Sequence, residues 1–250
     1  MVSDNTASRK QETLERESLM MKRIAEVKFH SIFSNGLPVR LHMRNDLHLA
    51  RKTWHLFMGL VIVCIYVFSG MSRATGVTIL GCALGFDLFI ETSRLRIPAF
   101  NEKVLRFWGP VMRSCEVSRM SGVPFYLLAT ILAFAIFPKP VGILSVLYLA
   151  IGDPIASLIG ISYGAKSIKI AQGKSLVGTA GGVATCFFVT LIFLKVYPVP
   201  VSDAAWLGLG LIGGLAGGLA ELAPFDMDDN FTIPMISGFV MWLAFIALGL

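Results

Sequence analysis

From Thr53 onward the chain consists of apolar runs close to 20 residues long, separated by short polar stretches. A helix of that length crosses a hydrocarbon core of about 30 Å, and a helix bonds its own backbone where no water can. The runs fall near residues 53–69, 74–90, 123–137, 141–161, 179–196, 204–220 and 231–250. The pattern therefore predicts an all-α polytopic membrane protein with about seven transmembrane helices. Residues 1–48 are polar, with Leu14, Met21, Ile24, Val27 and Phe29 at roughly helical spacing among Lys, Arg and Glu. Such a segment suits an amphipathic helix on an anionic leaflet, with a solvated tail as the alternative. The expected organisation is a polar extension, 1–48, followed by a transmembrane domain, 49–250.

Composition makes the bilayer the main solvent. Hydrophobic residues are 55% of the chain and charged residues 15%, at a mean hydropathy of +0.70, whereas a soluble domain is about a quarter charged. Cys64, Cys82, Cys115 and Cys186 show no paired spacing, so neither a disulfide framework nor a zinc site is indicated. Of the 22 Lys and Arg residues, all but Arg73, Lys139 and Lys195 fall in the N-terminal segment or in connections sharing its side. The positive-inside rule then predicts a cytoplasmic N-terminus and an external C-terminus. The same side holds Glu91, Glu102, Glu116, Glu221, Asp226, Asp228 and Asp229, so the expected site faces the cytoplasm and handles something charged. No nucleic-acid partner is expected.

Asp153 interrupts an otherwise apolar run, and an ionisable group there is costly unless it works or is paired. In Gly152-Asp153-Pro154 the Asp can cap, and the Pro open, a new helix inside the span. Free N–H groups at that break would favour a phosphate, with magnesium shared by the carboxylate. The bland alternative is a cap on a kinked helix. Gly160, Gly164, Gly173 and Gly178 permit close backbone approach, to a ligand or to another helix, and Lys166, Lys169 and Lys174 add positive charge. Gly173-Lys174-Ser175 is not a P-loop end, because Ile168 stands where that motif needs Gly. Asp226, Asp228 and Asp229 lie close to Glu221 and Asn230, a set suited to a hard divalent cation or to an exposed acidic loop. Arg51, Lys52 and His55 open the first span, where they could meet phosphate or anchor to headgroups. Asp87, Glu91, Arg94, Glu116 and Arg119 flank the next two spans as salt bridges or substrate contacts.

The stretch Asp153-x2-Ala156-x3-Gly160-x3-Gly164-x8-Gly173-Lys174-Ser175-x-Val177-Gly178 resembles the CTP-binding signature of the CTP-dependent lipid-alcohol kinases. That family includes dolichol kinase, phytol kinase and the CTP-using diacylglycerol kinase. The likeness extends to Arg51-Lys52-x2-His55, Glu116, Arg119, Glu221, Asp229-Asn230 and Pro234. It implies a kinase that uses CTP as phosphate donor and magnesium as cofactor to phosphorylate a lipid alcohol in the bilayer. On that likeness Asp153 and Lys174 are the catalytic candidates. Ala156, Gly160, Gly164, Lys166, Gly173, Lys174, Ser175 and Gly178 are the nucleotide candidates, and Asp153, Asp226 and Asp229 the metal candidates. The chain departs from the family pattern at Gly173-Lys174, where two basic residues are usual, and at Val177, where a Glu is usual. A phosphatidate cytidylyltransferase and a small transporter are the competing readings.

Overall fold

The computed structural model describes residues 49–224 and 227–250, and the expectations for residues 1–48 and for Asp226 lie outside them. The described residues are all-helical and carry no named strand. In chain order the helices are α1 (Leu49–Phe68), α2 (Arg73–Arg96), α3 (Pro98–Trp108), α4 (Val123–Ile136), α5 (Lys139–Leu147), α6 (Asp153–Tyr163), α7 (Leu176–Val196), α8 (Asp203–Leu219) and α9 (Asp229–Ala247). A π turn, Tyr148–Gly152, joins α5 to α6, so Lys139–Lys166 forms one 28-residue span. Among the described residues six segments are long and apolar enough to cross a bilayer. The remaining expected span, α4, is a shorter apolar helix of 14 residues: Asn230 of α9 donates to the Gly122 carbonyl just before it, and Arg73 of α2 donates to the Ala135 and Phe137 carbonyls at its other end.

Helix starts follow local chemistry. Ser72, Ser175, Ser202 and Asp228 each turn a side-chain oxygen onto a backbone N–H of the first turn of α2, α7, α8 and α9, supplying a partner those N–H groups otherwise lack.

At Asp153 the structure corrects the expected helix break. Asp153 keeps helical dihedrals, φ −61° and ψ −49°, and its N–H donates to the Tyr148 carbonyl, five residues back. Pro154 lacks an N–H and its ring would strike the carbonyl four residues earlier in an α-helix. One widened turn relieves that clash without breaking the rod, and such π turns concentrate at functional sites. Gly152, at the cap position, is also helical and makes no side-chain cap. There is thus no free helix N-terminus here for a phosphate, and the Asp153 carboxylate has no capping duty.

The span containing Asp153 is the centre of the bundle: 67% of its apolar window is buried, against 17% for α1 and 11% for α2. Against it α6, α7 and α8 pack through small residues. A Cβ at Gly178 would lie 2.8 Å from Gly160 Cα, one at Gly182 3.0 Å from Ala156 Cβ, and one at Gly218 2.5 Å from Val183 Cα. Lipid tails are as apolar as the helices, so close van der Waals contact rather than hydrophobic burial holds such pairs.

Candidate active site

Two connections meet at one end of the bundle, and Lys174 ties them together. From the α6–α7 loop its ammonium donates to the Glu221 carbonyl at 2.8 Å and pairs with Asp229 Oδ2 at 3.2 Å and Glu221 Oε2 at 3.3 Å. Thr179 Oγ1 donates to Glu221 Oε1 at 3.0 Å, fixing the second carboxylate oxygen. The α8–α9 loop is thereby clamped to the start of α7. Its last residue, Asp228, accepts from Asn230 N–H at 2.9 Å. Burial pushes the Asp228 carboxyl above its usual range, while that N–H and the charges of Arg113 and Arg51 pull it back.

Asp153 sits within reach of this cluster. The charges of Asp229, Glu221, Lys174 and Arg113 all act on it, and it in turn acts on Lys52 of α1. Among the described residues the Asp153 carboxylate makes no hydrogen bond, and Lys52 Nζ is buried without a hydrogen-bond partner. A buried, unpartnered ammonium beside a carboxylate and two further cations is an arrangement that stabilises an arriving anion.

The glycine-lined segment is built differently from an open cradle. Ser175 Oγ caps α7 and lies where a Cβ of Gly164 would fall, 2.6 Å away, and 3.1 Å from one at Gly160. Gly160, Gly164, Gly178 and Ala156 are thus filled by protein, and they serve the site by letting α6 and α7 approach. The first N–H groups of α7 are also taken: Leu176 donates to the Ile168 carbonyl at 2.9 Å and Val177 to Ser167 Oγ at 3.2 Å. Gly173 adopts φ +75°, which turns the loop so that Lys174 faces Asp229. Lys166 is exposed, and Lys169 donates to the Gly164 carbonyl at 3.0 Å.

A second polar hub lies alongside, around the α3–α4 connection. Arg94, 1% exposed, makes two 2.7 Å bonds to Glu91 and also donates to the carbonyls of Glu116 at 2.9 Å and Arg119 at 2.8 Å. Arg51 pairs with Glu116 at 2.9 Å, and the Arg113 N–H donates to Glu116 at 2.8 Å. Asn230 Nδ2 donates to the Gly122 carbonyl at 3.1 Å, so the residue next to Asp229 joins this hub to the Lys174 clamp. Of the sequence candidates, Glu91, Glu116, Arg51 and Asn230 therefore hold loops in place, while the Arg119 side chain is exposed. Sequence reading passed over Arg113 and Thr179. Neither stands in a motif, and only the folded connections bring the Arg113 charge onto Asp153 or Thr179 under Glu221.

No group of three or more His, Cys, Asp or Glu side chains among the described residues could by itself hold a metal ion. Magnesium needs no such cage, since it is usually bound by one or two carboxylates together with substrate phosphates and water. Asp153 and Asp229, like charges acting on each other, fit that requirement.

No family model matches the chain, and no solved structure matches it. Curated relatives do. The chain is 32% identical over 209 residues to the CTP-dependent diacylglycerol kinase 1 of Eremothecium gossypii, covering 76% of this chain and 65% of the relative. It is 31% identical over 209 residues to the enzyme of that name in Saccharomyces cerevisiae, covering 77% and 72%. A probable chloroplastic phytol kinase 1 of Glycine max is 28% identical over 210 residues, covering 79% and 67%.

Proposed function

The chain belongs to the CTP-dependent lipid kinase family, and we propose that it transfers the γ-phosphoryl group of CTP to the hydroxyl of a lipid alcohol, at the cytoplasmic face of a membrane. Diacylglycerol, the acceptor in the names of the relatives of highest identity given above, is the first acceptor to test. The observation that carries the reading is the convergence on Asp153 of the charges of Lys174, Arg113 and Lys52, brought from three separate parts of the chain.

The step itself needs little covalent help from protein. The lipid oxygen bonds to the γ-phosphorus as the bond from that phosphorus to the β–γ bridging oxygen breaks, CDP leaves, and the hydroxyl proton must go to a base. Asp153, free of hydrogen bonds among the described residues, is the carboxylate placed to take it. Lys52, Arg113 and Lys174 face the phosphates and offset the charge that spreads over the transferring oxygens. Lys174 exchanges part of its contact with Glu221 and Asp229 for phosphate, and Thr179 keeps Glu221 from following it. Asp153 and Asp229 would hold magnesium, which supplies further charge neutralisation at the phosphates. The cytoplasmic placement rests on the distribution of Lys and Arg, which puts this end of the bundle on the side where CTP is found.

The test is a transfer assay with purified full chain, magnesium, each nucleoside triphosphate in turn and a panel of lipid alcohols. Label from the γ position of CTP is expected in the lipid. Asp153→Asn should lower kcat by about 10²- to 10⁴-fold, the usual contribution of a positioned base. Label recovered in pyrophosphate instead of lipid, or an Asp153→Asn protein of full activity, would overturn the assignment.

A further inference from the structure

Helix α3 lies across the end of the bundle and crosses no membrane. Arg51, near the start of α1, pairs with Glu116, and the Glu116 carbonyl accepts from Arg94 in the last turn of α2, so these two helix ends meet one connection. The chain leaves α2 through an extended residue, Ile97, and the last residue of α3, Trp108, meets Trp54 of α1 edge-on at 4.9 Å between ring centroids. A rod of 11 residues, about 16 Å long, thus bridges the end of one span to the beginning of another. Its inner side is fixed by residues one turn apart: Asn101 Nδ2 donates to the Val117 carbonyl at 3.0 Å, and Leu105 is 1% exposed.

The rest of the surface of α3 divides into two stripes. Phe100, Val104, Phe107 and Trp108 recur at i, i+4, i+7 and i+8, and Ala99, Glu102, Lys103 and Arg106 at i, i+3, i+4 and i+7, the spacings of two helix faces. The apolar stripe is not covered by the bundle, since Phe107 is 76% exposed and Trp108 37%. Val104 and Trp108 line one cavity with Phe86 of α2, so the stripe runs on into a surface where Phe86 and Phe89 are also exposed. Charge is equally one-sided. Glu91 and Glu116 are buried and bound to Arg94 and Arg51, and Glu102 pairs with Arg106. Arg96, Lys103 and Arg119 are left exposed, with no ion pair among the described residues.

Water is a poor solvent for the first stripe and hydrocarbon for the second, and the headgroup layer of a bilayer suits both. We propose that α3 seats in that layer at the basic end of the bundle, with Phe107 and Trp108 among the upper acyl chains and with Arg96 and Lys103 binding the phosphates of anionic phospholipids. Charge selects the lipid: a zwitterionic headgroup brings its own cation to each phosphate, whereas an anionic one leaves its phosphate to the protein. An acidic protein could match the cations, but the apolar stripe beside them continues onto the lipid-facing side of α2, which a membrane covers. The expected cytoplasmic placement of this end puts α3 on the more anionic leaflet. This role is separate from phosphoryl transfer and does not depend on it.

The test uses the full chain in bilayers, with phospholipids brominated on the acyl chains near the headgroup as quenchers. The difference in tryptophan emission between the protein and its Trp108→Phe variant isolates Trp108. Brominated phosphatidylglycerol, as a minor component in phosphatidylcholine, should quench Trp108 more than brominated phosphatidylcholine at the same fraction. The enrichment should be about 5-fold for each cation engaged, and added salt should lessen it. Arg96→Gln with Lys103→Gln should remove the excess and leave the quenching by brominated phosphatidylcholine as it was. Both residues are exposed and unpaired, so the unchanged phosphatidylcholine quenching shows that the helix still sits in place. Equal quenching by the two lipids, or an excess that survives the double substitution, would overturn the phosphate contacts. A Trp108 that neither lipid quenches would overturn the seat itself.

Discussion

The two sides of this bundle are held by opposite means. Where α7 meets α6 and α8, glycines bring backbones into contact, and the polar links between helices away from the clamped end are few among the described residues: a 2.7 Å bond between the buried Tyr148 and Thr190 hydroxyls, and the Trp206 indole N–H of α8 donating to the Leu191 carbonyl of α7 at 3.0 Å. Where α1 faces α2 and α4 across a cavity of about 360 Å³, the α1 backbone stands apart from theirs, and the end is latched by Arg94 of α2, which holds the Glu116 and Arg119 carbonyls, and by Arg51 of α1 paired with Glu116. Within a bilayer, association between helices has these two main sources, close packing and polar bonding. The packed side can leave no room for a ligand. The latched side can, since polar bonds to the connection at one end keep the helices in register while the space below them stays open. Asp153 lies between the two, on the most buried span.

The sharpest way to break the latched side is Arg94→Met. It strands Glu91 as a buried unpaired carboxylate and leaves the Glu116 and Arg119 carbonyls without their donor. Removing one partner of a buried pair typically costs about 3–5 kcal/mol. A drop of that size is expected in the unfolding free energy measured in detergent micelles. The double variant Glu91→Leu with Arg94→Met should recover only part, because the two loop carbonyls remain unsatisfied. Full recovery would show that the pair alone, and not the loop it holds, is what matters.

These two sides were unequally legible in the amino-acid sequence. The spans were readable because apolar length is a local property, and the packed side was half-readable, since four-residue glycine spacing announces close approach without saying to what. The structure answers for Gly160, Gly164 and Gly178: to each other's helices and to Ser175. The convergence of Asp153 and Lys174 was legible from the topology, which put both near one face. The π turn was not, because Asp-Pro signals a helix start and a widened turn equally well. The latched side was hardest to read. Arg94 looks like any basic residue flanking a span, and its buried role exists only once residues 113–121 fold back over it.

On the packed side, Gly218→Ala should be the most damaging single methyl. Its Cβ would meet Val183 Cα at 2.5 Å, and backbone cannot swing aside as a side chain can. Overpacking of this kind costs about 1–3 kcal/mol, and here it must separate α7 from α8. Unfolding in detergent should shift accordingly, while Gly208→Ala, where an added Cβ meets nothing within 4 Å, should not shift it. A tolerated Gly218→Ala would mean the two helices slide freely, against the contrast drawn between the two sides.

Thr190→Val isolates the polar contribution on that same side. It keeps the shape and removes the partner of Tyr148 Oη, leaving a hydroxyl unpaired among buried side chains. Hydrogen bonds between membrane helices average about 0.6 kcal/mol and reach about 1.7 at most, so the loss should fall in that range and below that of Gly218→Ala. A loss larger than that of Gly218→Ala would make the packed side a polar-bonded one after all.

The smallest effect should come from Glu102→Gln, and that smallness tests whether ion pairs matter on the latched side because they are ionic or because they are buried. Glu102 and Arg106 are paired at 2.9 Å, one turn apart on α3, with side chains 33% and 59% exposed. Its distance nearly matches those of the buried pairs, but water or headgroups can solvate both charges whether or not they meet. Such pairs contribute about 0.3–0.5 kcal/mol and weaken as salt screens them. Glu102→Gln is therefore expected to lower the unfolding free energy by no more than that amount at low salt and by less at high salt. The Arg94→Met effect should persist at both, because its charges lie beyond the reach of the added ions. Equal salt sensitivity in the two variants would place Arg94 in contact with solvent and remove the reason for calling its pair a latch.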